Sequence, residues 1–381
     1  MNRLMIMLMV LFAGLCLAVT CDDDDNDTAG DADADGDADA DTDTDADGDG
    51  DIDADSDTDK DNAGWNEVAS TVTKDLFRVK FMSVSEGWIV VESGTILRTI
   101  DKGDTWTSAS NSVTDEYLYD LDFVGNTVYV CGSEMTLLKG ANNGTGFEWT
   151  SITIPGGTDF YRRVQFLSSQ TGWVLETNWH RGFVRLWYSL DNLSWAEANG
   201  IPNAEDFEAK DFQFTQNQIP DGQDGGKLKY EGWLIGYEGD SPDGTAYLYH
   251  TVNGGKDWSV ALEDSDSYFS DIYFLDKDHG WIAKTWGMLY TEDGGKNWES
   301  RDFTASGVSP DILKFTDSNN GWAVAGINNP YHTDNGGSGW QEQVASTGKI
   351  SGVADIFMIN SSVGILVGDD GKIYKTTTGG K

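Results

Sequence analysis

Four aspartates near the N-terminus have the spacing of a metal-binding loop. Asp45, Asp47, Asp49 and Asp53 occupy positions 1, 3, 5 and 9 of a segment with glycine at position 6 and isoleucine at position 8. Carboxylates at these positions around a glycine turn are typical of calcium loops. Position 12, which usually supplies a bidentate carboxylate, is Ser56. The segment is therefore interpreted either as a calcium site or as a solvated acidic spacer, and calcium is the one cofactor that the sequence suggests.

The other residues that carry chemistry form no catalytic pattern. The four histidines are scattered, and the sequence has no His-x-x-x-His, no paired cysteines and no Gly-x-Ser-x-Gly. Acidic residues are so abundant that some pair will always have the spacing of a glycosidase, which carries no information. We therefore predict that the protein is not an enzyme. A carbohydrate-binding protein or a sialidase-like glycoside hydrolase is the alternative.

The N-terminal residues predict export and lipid attachment. Arg3 precedes an apolar run from Leu4 to Leu17, which is too short for a comfortable membrane span. The sequence LAVTC then places Cys21 where bacterial lipoproteins carry their acylated cysteine, although Thr20 departs from the usual small residue. Residues 1–20 are predicted to be a signal peptide, and Cys21 the lipid attachment site. An ordinary cleaved signal is the alternative.

Residues 21–63 are expected to be a disordered linker. The stretch alternates Asp with Ala, Thr and Gly, holds 21 of the 65 acidic residues, and has almost no apolar surface to bury. From Gly64 onward, 44 acidic residues stand against 23 basic ones, which gives a net charge of −21. Such a surface argues against nucleic acid as a partner, because phosphate binding needs clustered lysine and arginine.

Tryptophans recur at regular intervals through residues 64–381. One series is separated by steps of 40 to 46 residues, except for one step of 63. Its members are Trp65, Trp106, Trp149, Trp195, Trp258, Trp298 and Trp340. A period of this length indicates a repeat architecture in which each unit packs on its neighbours.

Several of these tryptophans end a turn of the form Thr-x-Asp/Asn-x-Gly-x-x-Trp. The Asp or Asn side chain is expected to accept hydrogen bonds from backbone N–H groups of the turn, and the glycine permits positive φ. The complete copies are Thr99, Asp101, Gly103 and Trp106; Thr251, Asn253, Gly255 and Trp258; Thr291, Asp293, Gly295 and Trp298; and Thr333, Asn335, Gly337 and Trp340.

Each repeat also contains a strand that ends in Phe or Met. The position two residues before this anchor is apolar in all seven units, and the position three before is mostly charged, which is the alternation of a β-strand. We predict that the charged positions line the mouth of a central channel and form a binding face. They are Arg78, Asp120, Arg163, Asp211, Asp271 and Asp355.

The turn resembles the Asp-box, or BNR repeat, and the longer unit is similar to the photosystem II stability and assembly factor family. This resemblance covers roughly residues 65–381 and implies an all-β fold, a seven-bladed β-propeller. A unit of about 42 residues suits one blade of four strands. The chain ends in TTTGGK, a turn that lacks its tryptophan, and Trp65-Asn-Glu-Val matches the missing piece. We therefore expect the N-terminal strand to close the last blade.

The resemblance implies a role as a protein-binding scaffold in the assembly or stability of a membrane or envelope complex. Those proteins rely on an arginine-rich surface, for which only Arg78, Arg162 and Arg163 are candidates here. We expect a monomer, anchored in the bacterial cell envelope and facing the periplasm or the cell surface, with a protein partner of unknown identity.

Two features fall outside the repeat. Inserts at 216–229 and 239–245 lengthen one unit and are either functional or tolerated surface loops. Trp179, Trp187 and Trp286 belong to neither tryptophan series and are expected to pack between blades, with stacking on sugars as the alternative.

Overall fold

The protein folds as seven four-stranded antiparallel sheets and contains no α-helix among the residues that the structure describes. The structure is a computed structural model. It describes residues 64–109, 114–144, 146–178, 183–191, 194–201, 207–217, 229–239, 244–265, 267–303, 308–326, 329–346 and 348–381. The predicted all-β, seven-bladed propeller is confirmed. The predicted signal peptide, Cys21, the acidic linker and the aspartates 45, 47, 49 and 53 lie outside the described residues.

The first four strands after β1 form blade 1, and each later blade follows in chain order. Blade 1 contains β2 (Leu76–Phe81), β3 (Gly87–Val91), β4 (Ile96–Thr99) and β5 (Thr107–Ser108). Blade 2 contains β6 (Leu118–Val124), β7 (Thr127–Gly132), β8 (Leu137–Asn142) and β9 (Phe147–Ser151). Blade 3 contains β10 (Phe160–Ser168), β11 (Thr171–Asn178), β12 (Phe183–Ser189) and β13 (Ala196–Glu197). Blade 4 contains β14 (Phe207–Asn217), β15 (Lys229–Glu238), β16 (Thr245–Thr251) and β17 (Ser259–Ser265).

The remaining blades repeat the same order of strands. Blade 5 contains β18 (Phe269–Phe274), β19 (Gly280–Lys284), β20 (Gly287–Thr291) and β21 (Glu299–Asp302). Blade 6 contains β22 (Ile312–Phe315), β23 (Gly321–Val324), β24 (Pro330–Thr333) and β25 (Gln341–Glu342). Blade 7 contains β26 (Val353–Met358), β27 (Gly364–Gly368) and β28 (Ile373–Thr376). Short 3-10 turns cover Glu92–Gly94 and Asp369–Gly371.

The fourth strand of the blade 7 sheet is β1 (Asn66–Val68), from the N-terminal side of the propeller. It pairs antiparallel with β28, with Asn66 opposite Lys375. Just before it, Trp65 is fully buried and its Nε1 donates to Gln343 Oε1 at 3.0 Å.

Aromatic stacking joins neighbouring blades. From blade 2 to blade 6, the Phe near the end of an inner strand stacks on an aromatic ring from the second strand of the preceding blade. Trp281 and Phe315, for example, have ring centroids 3.8 Å apart and planes 6° apart. The same Phe meets the turn tryptophan of its own blade edge-on, as Phe315 meets Trp340 at 6.2 Å. A Cβ on Gly321 would overlap the Phe315 ring, which explains why glycine precedes tryptophan in this strand. The recurring Phe and Gly-Trp residues therefore hold the blades together.

The Thr-x-Asp/Asn turns are held by hydrogen bonds between their own side chains and backbone. In blade 5, Thr291 Oγ1 accepts from the Gly295 N–H at 2.9 Å, and Asp293 Oδ1 accepts from the Asn297 N–H at 2.9 Å. The copies in blades 1, 4 and 6 make the equivalent bonds. In these four blades the turns connect the third and fourth strands, so they lie on the same face of the propeller as the turns that connect the first and second strands. We call this the turn face. The opposite face, where the inner strands begin, is the mouth face.

Candidate functional site: the mouth face

The predicted charged residues form a network along the inner strands. Arg78 Nε lies 3.3 Å from Asp120 Oδ1, and Arg78 Nη1 lies 3.3 Å from Asp355 Oδ1. Arg163 Nε lies 3.3 Å from Asp211 Oδ1. These pairs join inner strands of adjacent blades, so the structure brings together the residues that the sequence predicted to share a face.

Several of these carboxylates also bind the backbone of the next blade. Asp355 accepts from the Val79 N–H at 3.0 Å, and Asp271 accepts from the Leu313 N–H at 2.7 Å. Arg78, Asp120, Asp271 and Asp355 are at most 9% exposed. Their contacts hold the ring of blades together, and a binding role for this set remains a prediction.

The pKa shifts within this network differ between the residues around Arg78 and the residue Asp211. Burial opposes the charge of Arg78, but Asp355 and Asp120 outweigh burial and raise its pKa above the ordinary value. Burial also opposes ionisation of Asp120, yet Lys80 and Arg78 lower its pKa. Asp211 behaves differently, because burial together with nearby Asp271 raises its pKa to about 6 despite Arg163. The surroundings of Asp211 therefore oppose its ionisation, whereas those of Asp120 favour it.

A second ring of side chains arises from a shared irregularity of the backbone. Six of the seven inner strands have a β-bulge at the same place, immediately before the charged position. A bulge inserts one residue and re-aims its side chain. The inserted residues are Phe77, Tyr119, Arg162, Lys210, Ser270 and Ala354, and Asp311 occupies the corresponding place just before β22. All seven are half-buried, and we call them the mouth ring.

Blades 1 to 3 give the mouth ring an aromatic half with a cation. The ring of Tyr119 lies 6.0 Å from that of Phe77 and 6.5 Å from that of Phe160. The guanidinium of Arg162 lies over Tyr119, 4.7 Å from the ring centroid. Burial and the neighbouring Arg163 lower the pKa of Arg162 to about 10, so it remains charged at neutral pH. This half combines flat aromatic surface with a positive charge.

Blades 4 to 6 give the mouth ring a polar half. Lys210 Nζ lies 2.6 Å from Glu208 Oε1, and the Tyr237 hydroxyl donates to Glu208 Oε2 at 2.5 Å. Tyr237 lies 6.2 Å from Tyr268 between ring centroids. Asp311 accepts from the Gly326 N–H at 2.7 Å, and burial raises its pKa. The two halves together offer aromatic surface, both signs of charge and hydrogen-bonding groups, which is the composition of a polypeptide-binding surface.

Strand alternation did not predict the mouth ring as a set, because alternation assumes one residue per step of the pleat. Only Arg162 was named from the sequence. The signal is present in the aligned repeats, four residues before the Phe or Met anchor, where the residue type changes in every blade.

The three tryptophans outside the two repeat series, Trp179, Trp187 and Trp286, differ in their surroundings. Trp187 is 5% exposed and its indole donates to Glu176 Oε2 at 2.6 Å, so its predicted packing is confirmed. Trp286 is 60% exposed, so the packing predicted for it is wrong. Its place in a tight turn between β19 and β20 holds the side chain away from the neighbouring sheet. Trp179 lies outside the described residues.

The strands that flank the two inserts end at opposite faces. The insert after β14 joins the first and second strands of blade 4 at the turn face, whereas the one after β15 joins the second and third strands at the mouth face. Asn217 pairs with Lys229, and Glu238 pairs with Thr245, at the ends of these hairpins. Most of both inserts lies outside the described residues.

Groups that could bind a metal or act as a nucleophile are scarce in the described part of the chain. It contains no group of three or more His, Cys, Asp or Glu side chains that could hold a metal ion. Cys131 is buried in β7, and burial raises the pKa of its thiol well above the ordinary value. A thiol in this state is a poor nucleophile. No helix in the described ranges is long and apolar enough to cross a membrane.

Known proteins resemble this chain in sequence or in fold. The family described as photosynthesis system II assembly factor YCF48 matches residues 58–159 and 255–381. A curated relative, the photosystem II assembly lipoprotein Ycf48 of Synechococcus sp. (strain CC9902), is 32% identical over 110 residues. That match covers 27% of this chain and 29% of the relative.

Three solved structures show the same fold. YCF48 bound to a D1 peptide has a TM-score of 0.61 at 17% identity, covering 83% of this chain and 97% of that one. YCF48 from Cyanidioschyzon merolae has a TM-score of 0.60 at 18% identity, covering 82% and 98%. A GH74 xyloglucanase from Xanthomonas campestris has a TM-score of 0.57 at 11% identity, covering 83% of this chain and 54% of that one. The family match extends over more than half of the sequence, and the chain therefore belongs to the photosynthesis system II assembly factor YCF48 family.

Proposed function

We propose that this chain is a lipid-anchored β-propeller outside the cytoplasm that binds a protein through its mouth ring and assists the assembly or stability of a membrane or envelope complex. The observation that carries this proposal is the mouth ring itself. A backbone irregularity recurs at one position of the inner strands and presents a different side chain from almost every blade. Side chains that vary at a fixed, partly exposed position suit recognition of an irregular surface such as a protein.

The family supports a protein as the ligand. One related structure is described as YCF48 bound to a D1 peptide, and a curated relative is named an assembly lipoprotein. We carry over protein binding and lipid anchoring at Cys21, and we leave the identity of the partner open. The linker of residues 21–63 would let the propeller reach a partner away from the membrane surface, and we propose that the propeller acts as a monomer.

The carbohydrate alternative has weaker support. The xyloglucanase shares the fold alone. Among the described residues, the channel aspartates at 120, 271 and 355 are buried and bind backbone N–H groups of the next blade, which is a structural arrangement. Sialidase and glucanase assays of the full chain test this alternative, and hydrolysis that a single Asp→Asn change abolishes would replace our proposal with it.

Co-purification from the cell envelope tests protein binding. The full chain is cross-linked in its native envelope and isolated together with its partners. We expect the double variant Tyr119→Ala, Arg162→Ala to lose the main partner, because it removes the aromatic and cationic centre of the mouth ring. The matched control is Ile100→Ala, Val252→Ala, which truncates two exposed apolar side chains on the turn face. Equal recovery of the partner by both double variants would contradict the proposal.

Lipid anchoring has its own test. We expect the unaltered chain to partition into the detergent phase and the Cys21→Ser variant into the aqueous phase. Partition of both proteins into the aqueous phase would remove the anchor from the proposal and leave the protein-binding part standing.

A further inference from the structure

Trp286 is a large apolar side chain exposed on the mouth face. It lies in the turn between β19 and β20 and is 60% exposed. Its φ angle is 60°, in the left-handed region that residues with a branched or bulky side chain rarely adopt. A tryptophan that is both exposed and held in an unfavourable backbone conformation contributes little to the fold, which points to a role in binding.

The turn that carries Trp286 is fixed from both sides. The Trp286 N–H donates to Ser309 Oγ at 2.9 Å, and the Trp286 carbonyl accepts from the Phe303 N–H at 3.1 Å. Thr285 Oγ1 accepts from the Tyr268 N–H at 2.9 Å. The indole is therefore presented on a rigid support, which lowers the entropy lost when a ligand stacks on it.

Corresponding turns of other blades show that the backbone does not require tryptophan. In blade 1 the turn between the second and third strands places Ser93 at φ 60°, and in blade 7 it places Asp370 at φ 57°. Both are small polar residues that suit a solvent-exposed turn. Each is followed by a glycine with positive φ, whereas Trp286 is the single residue with positive φ in its turn and the largest non-glycine side chain at positive φ among the described residues.

An exposed carboxylate lies beside the turn that carries Trp286. Asp302 is exposed and lies opposite Gly287, the residue next to Trp286, and it has no ion pair within the described ranges. The neighbouring cations are already paired, since Lys284 binds Asp264 and Lys210 binds Glu208. With a net charge of −21 from Gly64 onward, this part of the mouth face is complementary to a cation.

We infer that Trp286 and Asp302 bind a lysine or arginine side chain in an extended basic segment of the protein partner. The cation stacks on the exposed indole face while the Asp302 carboxylate neutralises its charge. This inference rests on the proposed function and deepens it by naming a second contact on the mouth face, at the turn between β19 and β20 of blade 5.

Two labelled peptides test this inference against the full-length chain by fluorescence anisotropy. One combines leucine with lysine and arginine, and in the other glutamate and aspartate replace the basic residues. We expect the basic peptide to bind more tightly. Trp286→Asn should weaken it about 3- to 30-fold, the range of a cation–π contact. Asp302→Asn should weaken it severalfold, and added salt should reduce the binding further.

The controls distinguish a specific cation contact from loss of folding and from membrane binding. Asparagine tolerates positive φ, so the Trp286→Asn variant should fold like the unaltered chain. Weaker binding by this variant would then report the loss of the indole. Ile100→Ala, 67% exposed on the turn face, should bind the basic peptide like the unaltered chain. Equal affinity for both peptides, no binding of either, or unchanged binding by Trp286→Asn would overturn the inference. So would binding of the unaltered chain to zwitterionic lipid vesicles that Trp286→Asn abolishes, because this would assign the tryptophan to a membrane.

The peptide experiment and the co-purification experiment can fail independently of each other. If the partner is lost on Tyr119→Ala, Arg162→Ala but basic peptides do not depend on Trp286, the inference fails alone. If the double variant retains the partner, the proposed function fails whatever the peptides show.

Discussion

The turn face and the mouth face come from the same repeat, yet different properties recur on each. On the turn face the residue types recur: Thr, Asp or Asn, Gly and Trp return in blades 1, 4, 5 and 6 with the same internal hydrogen bonds. On the mouth face a backbone bulge recurs, but the inserted residue is aromatic, cationic or small depending on the blade.

This difference separates stability from recognition. Residue types that recur in several blades with the same hydrogen bonds meet a structural need that these blades share, which is to close a turn and to fill the space between blades. At the bulge position the backbone is the same but the side chain differs between blades, so the fold does not require one side chain there. We therefore expect substitutions on the turn face to cost stability, and substitutions on the mouth face to cost binding.

The largest expected effect is on the turn face. Trp258 is 6% exposed, meets Phe214 edge-on at 5.6 Å, and its indole donates to the Gly255 carbonyl at 3.0 Å. Trp258→Ala should lower the free energy of unfolding by about 3–5 kcal/mol, measured by denaturant titration. Tyr119→Ala on the mouth face should cost about 1 kcal/mol. Similar losses for the two variants would erase the distinction between the faces.

The hydroxyl of a turn threonine gives a smaller effect. Thr291 Oγ1 accepts from Gly295 and donates to Asp293 at 2.9 Å. Thr291→Val keeps the shape and removes both bonds, so it should cost about 1–2 kcal/mol. On the mouth face Ser270 Oγ donates to the Pro310 carbonyl at 2.9 Å, and Ser270→Ala should cost about half as much, because only one bond is lost. A larger cost for Ser270→Ala would show that the mouth ring serves folding.

The buried carboxyl of Asp211 leads us to expect that the stability of the fold depends on pH. The pKa of Asp211 is raised to about 6, above the unfolded value of about 3.9, so its ionisation destabilises the fold. This destabilisation is absent below pH ~4 and complete above pH ~7, so the Asp211 contribution should stabilise the fold by roughly 1–2 kcal/mol as pH falls from 7.5 to 5.

Comparison with Asp211→Asn isolates this contribution. The variant cannot titrate, so its stability should change less between pH 5 and 7.5 than that of the unaltered chain, in denaturant titrations at each pH. Asp271 shares a hydrogen bond with Asp211, so the difference between the two proteins reports on this pair of carboxyls. An identical pH dependence of the two proteins would place the titration on another group.

The smallest expected effect is a small gain in stability. Trp286 has φ 60° and is largely exposed, whereas asparagine tolerates this backbone region. Trp286→Asn should leave the melting temperature unchanged or raise the stability by up to about 1 kcal/mol. A clear loss of stability would mean that the indole packs on the fold.

Much of the fold was predictable because its determinants repeat. The interval between tryptophans predicted the number of blades. The apolar position two residues before each Phe or Met predicted the inner strands, and the structure confirms that three of these strands end at Phe81, Phe274 and Phe315. The bulges were not predictable from alternation, since an inserted residue shifts the pattern by one and hides Phe77 or Lys210 among ordinary strand residues. The exposure of Trp286 was missed for a related reason: composition favours packing for a tryptophan, and only the turn geometry places it in solvent.

Site-specific photo-cross-linking in intact cells tests the central claim most directly. A photoreactive amino acid is placed at position 119 in the mouth ring or at position 100 on the turn face, and cross-linked proteins are detected by mass shift. Our account predicts a discrete protein cross-link from position 119 and none from position 100. A cross-link to the same protein from position 100 alone would contradict it.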